Sequence, residues 1–114
     1  MELRVAASPE LVGEGPALAA YRVVQEALTN IRKHAPGADI RVDVSATART
    51  LDVEVVNGPG GSSGATGLDG GAGLIGMQER VRVYDGRLEA GELAGGGWRV
   101  HVRLPLAERS EVVR

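Results

Sequence analysis

YRVVQEALTNIRKHA, residues 21–35, is the stretch whose reading decides the fold. Tyr21, Val24, Leu28 and Ile31 recur at three- and four-residue intervals, and Leu18 extends the series backwards, so the spacing predicts a helix over Ala17–His34. Pro16 suits a first helical position and Pro36 ends the element. The face opposite this apolar stripe carries Arg22, Glu26, Asn30 and Lys33, whose spacing lines them up in one row. A carboxamide oxygen is a hard neutral metal ligand, a carboxylate can hold a metal-bound water, and an ammonium can meet phosphate oxygens. The same residues also suit a plain solvated helix face with one Glu-to-Lys pair, although a mid-helix Asn costs propensity against Ala.

Outward from the helix, Ile40, Val42, Val44 and Ala46 alternate with Arg41, Asp43 and Ser45, and Leu51, Val53 and Val55 alternate with Asp52 and Glu54. Residues 39–46 and 50–57 therefore read as an antiparallel strand pair. Residues 2–7 alternate weakly and read as an edge strand. Residues 73–84 look helical, with Leu74, Met77 and Val81 on one face and Gly86 as the breaker. A second strand pair, 87–93 and 97–105, turns around Gly95, Gly96 and Gly97. Along 97–105, Trp98, Val100, Val102 and Leu104 face one way and Arg99, His101 and Arg103 the other. The expected class is α+β: a two-layer sandwich, its mixed and mostly antiparallel sheet covered on one face by helices.

Composition narrows the function. The chain has 114 residues, the size of one domain, with 43% apolar and 25% charged residues. Aromatics are 3% and Phe is absent, so the core has to be aliphatic. A net charge of −2 gives no footprint for nucleic acid or for an anionic membrane. With no cysteine there is neither a disulfide nor a thiolate metal site, which fits a reducing cytoplasm. No apolar run approaches the roughly 20 residues that span a bilayer, and none reads as a signal peptide. The 17 glycines crowd into 58–73 and 95–97, and a Gly-rich stretch of that length is a linker or a working loop.

Two further segments carry possible chemistry. Gly71-Ala72-Gly73-Leu74-Ile75-Gly76 matches G-x-G-x-x-G, but no strand leads directly into it, which argues against a dinucleotide fingerprint. Glycines at a loop-to-helix junction still let backbone N–H groups face an anion. Asn57-Gly58-Pro59-Gly60 closes a strand and reads as a turn, whose polar side chain could also meet a base edge. His34 and His101 lack the partners of a catalytic triad or a metal set.

In this order these segments resemble the catalytic domain of sensor histidine kinases, the GHKL or Bergerat ATPase fold. Residues 21–35 look like its N box, VEVVNGPG (53–60) like its first glycine box, and GAGLIGMQERV (71–81) like the second, in the form of the nitrate/nitrite-sensor subfamily. GGGWRVHVRLPL (95–106) is similar to the closing strand pair, so the resemblance covers about residues 16–106. It implies ATP and Mg²⁺ as cofactors, with Asn30 on the metal and Glu26 holding a metal-bound water or assisting proton removal. Lys33 and His34 would contact phosphate, Asn57 and Gly58 would line the adenine end, and Gly71, Gly73 and Leu74 would shape the phosphate end of a lid over 58–72. Asn57 stands where the family has an adenine-reading Asp (a register one residue earlier would put Val56 there), and Trp98 stands where a Thr is common. The domain would be 1–107 with a tail at 108–114. The implied partners are a histidine-bearing dimerisation domain of the same homodimeric kinase and a response regulator, in the cytoplasm. Other outcomes within reach are an anti-sigma-factor-type serine kinase and a nucleotide-binding module without turnover.

Overall fold

A computed structural model describes residues 1–8, 12–59 and 72–106. Gly71, most of the expected lid and the tail at 108–114 lie outside the described residues. The elements are β1 (Glu2–Ala6), α1 (Glu14–His34), β2 (Ile40–Ala46), β3 (Thr50–Asn57), α2 (Ala72–Val83), β4 (Arg87–Leu93) and β5 (Gly97–Pro105). They build one sheet of order β1-β2-β3-β5-β4. β1 runs parallel to β2 and every other pair is antiparallel, so the sheet is mixed.

The sheet forms because β3 and β5 bring matched apolar residues into register. Leu51 faces Leu104, Val53 faces Val102 and Val55 faces Val100. All six are at most 4% exposed. Burial of side chains this size contributes about 1.5–3 kcal/mol each relative to exposure. Both helices lie on that face. α1's first half and α2 share a core with β3 and β5. Its second half, through Ala27 and Ile31, packs on Val42 and Val55.

α1 begins at Glu14, three residues ahead of the sequence expectation, with Gly13 at φ 83 before it. Pro16 falls in its first turn, where a backbone N–H has no intrahelical acceptor to lose. The buried stripe is also rotated from the expected one: Ala19, Ala20, Val23, Ala27 and Ile31 face the sheet. Leu18 and Tyr21 are 53% and 59% exposed. Alanines along the contact let the helix axis settle close to the sheet, and the larger Leu18 and Tyr21 are turned out.

α2 buries Met77 and Val81, each 1% exposed, with Leu74 packed beside them. It stops through a Schellman motif. Gly86 N–H donates to the Val81 carbonyl at 2.9 Å and Asp85 N–H to the Arg82 carbonyl at 2.9 Å. The left-handed residue is Asp85 at φ 61, so Gly86 is not the residue that reverses the chain. Gly86 is needed for space: a Cβ there would stand 2.7 Å from the Arg103 carbonyl oxygen and strike Leu104. The helices run antiparallel, since Gly15 at the start of α1 lies against the Tyr84 ring at the end of α2. Among the described residues no helix is long and apolar enough to cross a membrane.

Candidate functional site

Connectivity sends four segments to one end of the helical layer. α1 ends at His34, the Ala35 N–H closes on the Ile31 carbonyl at 2.8 Å, and Gly37 at φ 84 turns the chain into β2. Ile40, the first residue of β2, pairs with Asn57, the last of β3. Gly58 N–H extends that pairing to the Asp39 carbonyl at 3.0 Å. The β4–β5 turn arrives beside them, because Asn57 also pairs with Trp98. α2 ends beside α1's first turn, and as it has 12 residues against 21 in α1, it begins alongside the middle of α1.

Within that arrangement the sequence candidates fall as follows. Glu26 and Asn30 are half-buried, whereas Lys33 and His34 are exposed in the last turn of α1. Glu26 and Asn30 do not stand opposite the buried stripe. At about 100° per residue, Glu26 lies about 60° round the helix from Val23, and Asn30 about 60° from Ala27. Leu28, which packs towards β2, is on the far flank. The row thus borders the core on the side away from β2 and looks into the gap between the helices. Arg32 and Lys33 collect positive charge at this end of α1, beside His34, which suits an anionic ligand and also the helix dipole.

Asn57 is the buried polar side chain of the described residues, 5% exposed. Strand pleating puts it on the helix-bearing face with Leu51, Val53 and Val55, and puts Val56 on the other. Its Nδ2 donates to the Gly58 carbonyl at 2.8 Å, and among the described residues its Oδ1 has no hydrogen-bond partner. Trp98, half-buried against the core, stands across from it. Gly73 and Leu74 lie in the first turn of α2, where backbone N–H groups have no intrahelical acceptor.

Gly97 contributes something its sequence reading as a plain hairpin turn missed. A Cβ there would collide with the Asn57 carbonyl oxygen, so its lack of a side chain lets β5 close against the end of β3. Its signal was the Gly95-Gly96-Gly97 run, longer than a hairpin needs. Among the described residues no group of three or more His, Asp or Glu side chains could hold a metal. A magnesium ion at this end would be carried mainly by phosphate oxygens and water, with one or two protein oxygens, which is how Mg²⁺ is usually bound with nucleotides. Asn30 and Glu26 fit that limited role.

The opposite sheet face carries a different chemistry. A depression lined by Asp43, Ser45, Asp52, Glu54 and His101 is crossed by ion pairs. Asp52 Oδ1 meets His101 Nε2 and Arg103 Nε, both at 3.1 Å, while Glu54 meets Arg99 and Asp43 meets Arg41. His101 therefore has a partner, but on the face away from every other candidate. Pairs this exposed contribute at most about 1 kcal/mol each.

One mixed five-stranded sheet with both helices on one face and a buried carboxamide at the end of β3 is a two-layer α/β sandwich. The chain belongs to the histidine kinase-, DNA gyrase B- and HSP90-like ATPase family, whose model matches residues 15–108. It is 30% identical over 89 residues to the signal transduction histidine-protein kinase/phosphatase DegS of Brevibacillus brevis, covering 78% of this chain and 23% of that protein. It is 35% identical over 86 residues to the sensor histidine kinase YxjM of Bacillus subtilis, covering 75% of this chain and 20% of that protein. The chain thus spans about a fifth of the length of these relatives. In structure it is similar to the histidine kinase domain of a blue-light-activated kinase from Erythrobacter litoralis, with a TM-score of 0.64 at 20% identity over 91% of this chain and 55% of that one. It is also similar to the mycobacterial sensor histidine kinase MprB, with a TM-score of 0.60 at 16% identity over 94% and 83% of the two chains. ATP binding follows from membership of this ATPase family.

Proposed function

We propose that this chain is the catalytic half of a sensor histidine kinase, supplying the γ-phosphoryl group of ATP to a histidine carried on a separate dimerisation domain. The observation that carries the proposal is the family match over residues 15–108, and the half-buried Glu26 and Asn30 on α1 and the buried Asn57 at the end of β3 support the reading of the site. The phosphorus–oxygen bond to ADP breaks, a phosphorus–nitrogen bond to the acceptor imidazole forms, and the phosphoryl group is relayed to an Asp of a response regulator. Mg²⁺, when bound with the nucleotide, neutralises phosphate charge.

The residues of the chain do the positioning. Asn57 Oδ1 accepts from the exocyclic amine of adenine, with Gly58 leaving room for the ring. Asn30 offers its carboxamide oxygen to the metal. Glu26 orients a water in the metal's shell or receives the proton released by the acceptor histidine. Lys33 and His34 neutralise phosphate oxygens. Gly71, Gly73 and Leu74 form the phosphate-facing end of a lid over 58–72, and lid movement lets the γ-phosphate reach its acceptor. Positioning and charge neutralisation supply most of the catalysis in phosphoryl transfer. The site of action is cytoplasmic, and the parent protein is a homodimer.

The test is transfer in trans, using this chain, a histidine-bearing dimerisation domain of its own kinase and γ-labelled ATP. Label should appear on the histidine, and Asn30→Ala should abolish it. ATP binding without any transfer would favour a non-catalytic nucleotide module, the reading to which the Asn57 and Trp98 departures point. Transfer to serine on a protein antagonist would favour the anti-sigma-factor type.

A further inference from the structure

Among the described residues β1 is an open sheet edge, with β2 as its single neighbour, and all five of its residues are exposed. Its register with β2 sets Leu3 opposite Val42 and Val5 opposite Val44, so both side chains lie on the helix-bearing face. They are nevertheless 59% and 60% exposed, as α1 packs over β2 and β3 and leaves β1 uncovered. α1 continues the apolar strip upward. Tyr21, 59% exposed, is seven residues before Leu28 and so about 20° from it round the helix, on the flank that faces β2 and β1.

Sheet edges are normally blunted by proline, bulges or charge. The other edge follows that rule: β4 exposes Arg87, Glu89 and Glu92. β1 has no proline, and its charges, Glu2 and Arg4, alternate with the apolar residues and project from the opposite face. That alternation selects an occupant. In an antiparallel pairing of β1 with a second β1, a two-fold axis through Leu3 sets Glu2 opposite Arg4 of the other copy, twice. The same register stacks Leu3 on Leu3 and Met1 on Val5. An axis through Arg4 would oppose two arginines, and one through Glu2 two glutamates. Like charges directly opposite across strands are destabilising, so Leu3 is the one centre within Glu2–Arg4 that satisfies both faces.

We propose that β1 is a self-complementary edge through which two copies of this chain pair antiparallel about Leu3, extending the sheet across a two-fold axis. The contact is isologous and small, so the dimer is a concentration-dependent one. The inference stands independently of the nucleotide site.

The experiment is sedimentation equilibrium of the 114-residue chain over a wide concentration range at low salt, with circular dichroism to check folding. The wild type should show a monomer–dimer equilibrium. Glu2→Arg and Arg4→Glu, each placing like charges opposite one another, should each weaken the dimer by roughly tenfold. Glu2 and Arg4 also stand opposite Arg41 and Asp43 of β2, so the variant that restores complementarity on both sides of β1 is Glu2→Arg/Arg4→Glu/Arg41→Glu/Asp43→Arg, and it should recover dimerisation to within about threefold of wild type. A wild type that stays monomeric throughout would overturn the proposal. So would a dimer indifferent to the single swaps, which would place the contact elsewhere, or single-variant losses that the fourfold variant does not rescue.

Discussion

Asn57 donates an amide hydrogen to the Gly58 carbonyl at 2.8 Å, and among the described residues its oxygen, on the helix-bearing face, has no hydrogen-bond partner. Aspartate at this position would present a charged acceptor but no donor. Asn57→Asp should therefore tighten ATP binding by about 1 kcal/mol, roughly fivefold, because hydrogen bonds to charged groups are the stronger. It should also destabilise the nucleotide-free chain by about 1 kcal/mol, as the half-buried Gly58 carbonyl loses its partner and faces a carboxylate. Thermal denaturation with and without ATP separates the two effects, and unchanged affinity would reduce Asn57 to a turn residue. Its alternation with Leu51, Val53 and Val55 was legible in the sequence. Its clamp on Gly58 and the closeness of Gly97 were not, because each depends on a backbone approach that periodicity does not encode.

The end of α2 shows how an element is closed by two residues with different duties. Asp85 holds the left-handed φ of 61, and Gly86 provides clearance beside Leu104 and Arg103. Asp85→Gly should raise stability by about 0.5 kcal/mol, the relief of positive-φ strain outweighing the entropy of an added glycine. Gly86→Ala should lower it by about 1–3 kcal/mol through overpacking. Chemical denaturation of both variants checks the assignment, which fails if their order is reversed. All the elements were readable from their periods, and both hairpins fell where the alternating runs placed them. The rotation of α1 was not readable. Leu18 is more hydrophobic than alanine and Tyr21 is far larger, yet Ala19, Ala20 and Ala27 make the contact because close helix-to-sheet approach rewards small side chains. Glu26 and Asn30 consequently border the core, a better place for a binding site than the solvated back of the helix.

For the whole molecule, stability resides in the aliphatic layer between sheet and helices. Leu104, 0% exposed and paired with Leu51, is its best reporter. Leu104→Ala should cost about 2–5 kcal/mol, measured by urea unfolding. Screening the ion pairs of the opposite face with salt should change stability little, since exposed pairs contribute at most about 1 kcal/mol each. The sequence pattern revealed both hairpins and the α+β class. It did not reveal that β5 inserts between β3 and β4 or that β1 joins parallel to β2, because pairings distant along the chain leave no local mark.

Convergence of Glu26, Asn30, Asn57 and the α2 start on one nucleotide is tested most directly by calorimetry of a non-hydrolysable ATP analogue with and without Mg²⁺. Asn30→Ala is the paired variant, as alanine keeps α1 helical while removing the carboxamide. Binding in the micromolar to submillimolar range, weakened both by omitting Mg²⁺ and by Asn30→Ala, is the predicted result. No detectable binding by the wild type at millimolar nucleotide would contradict it.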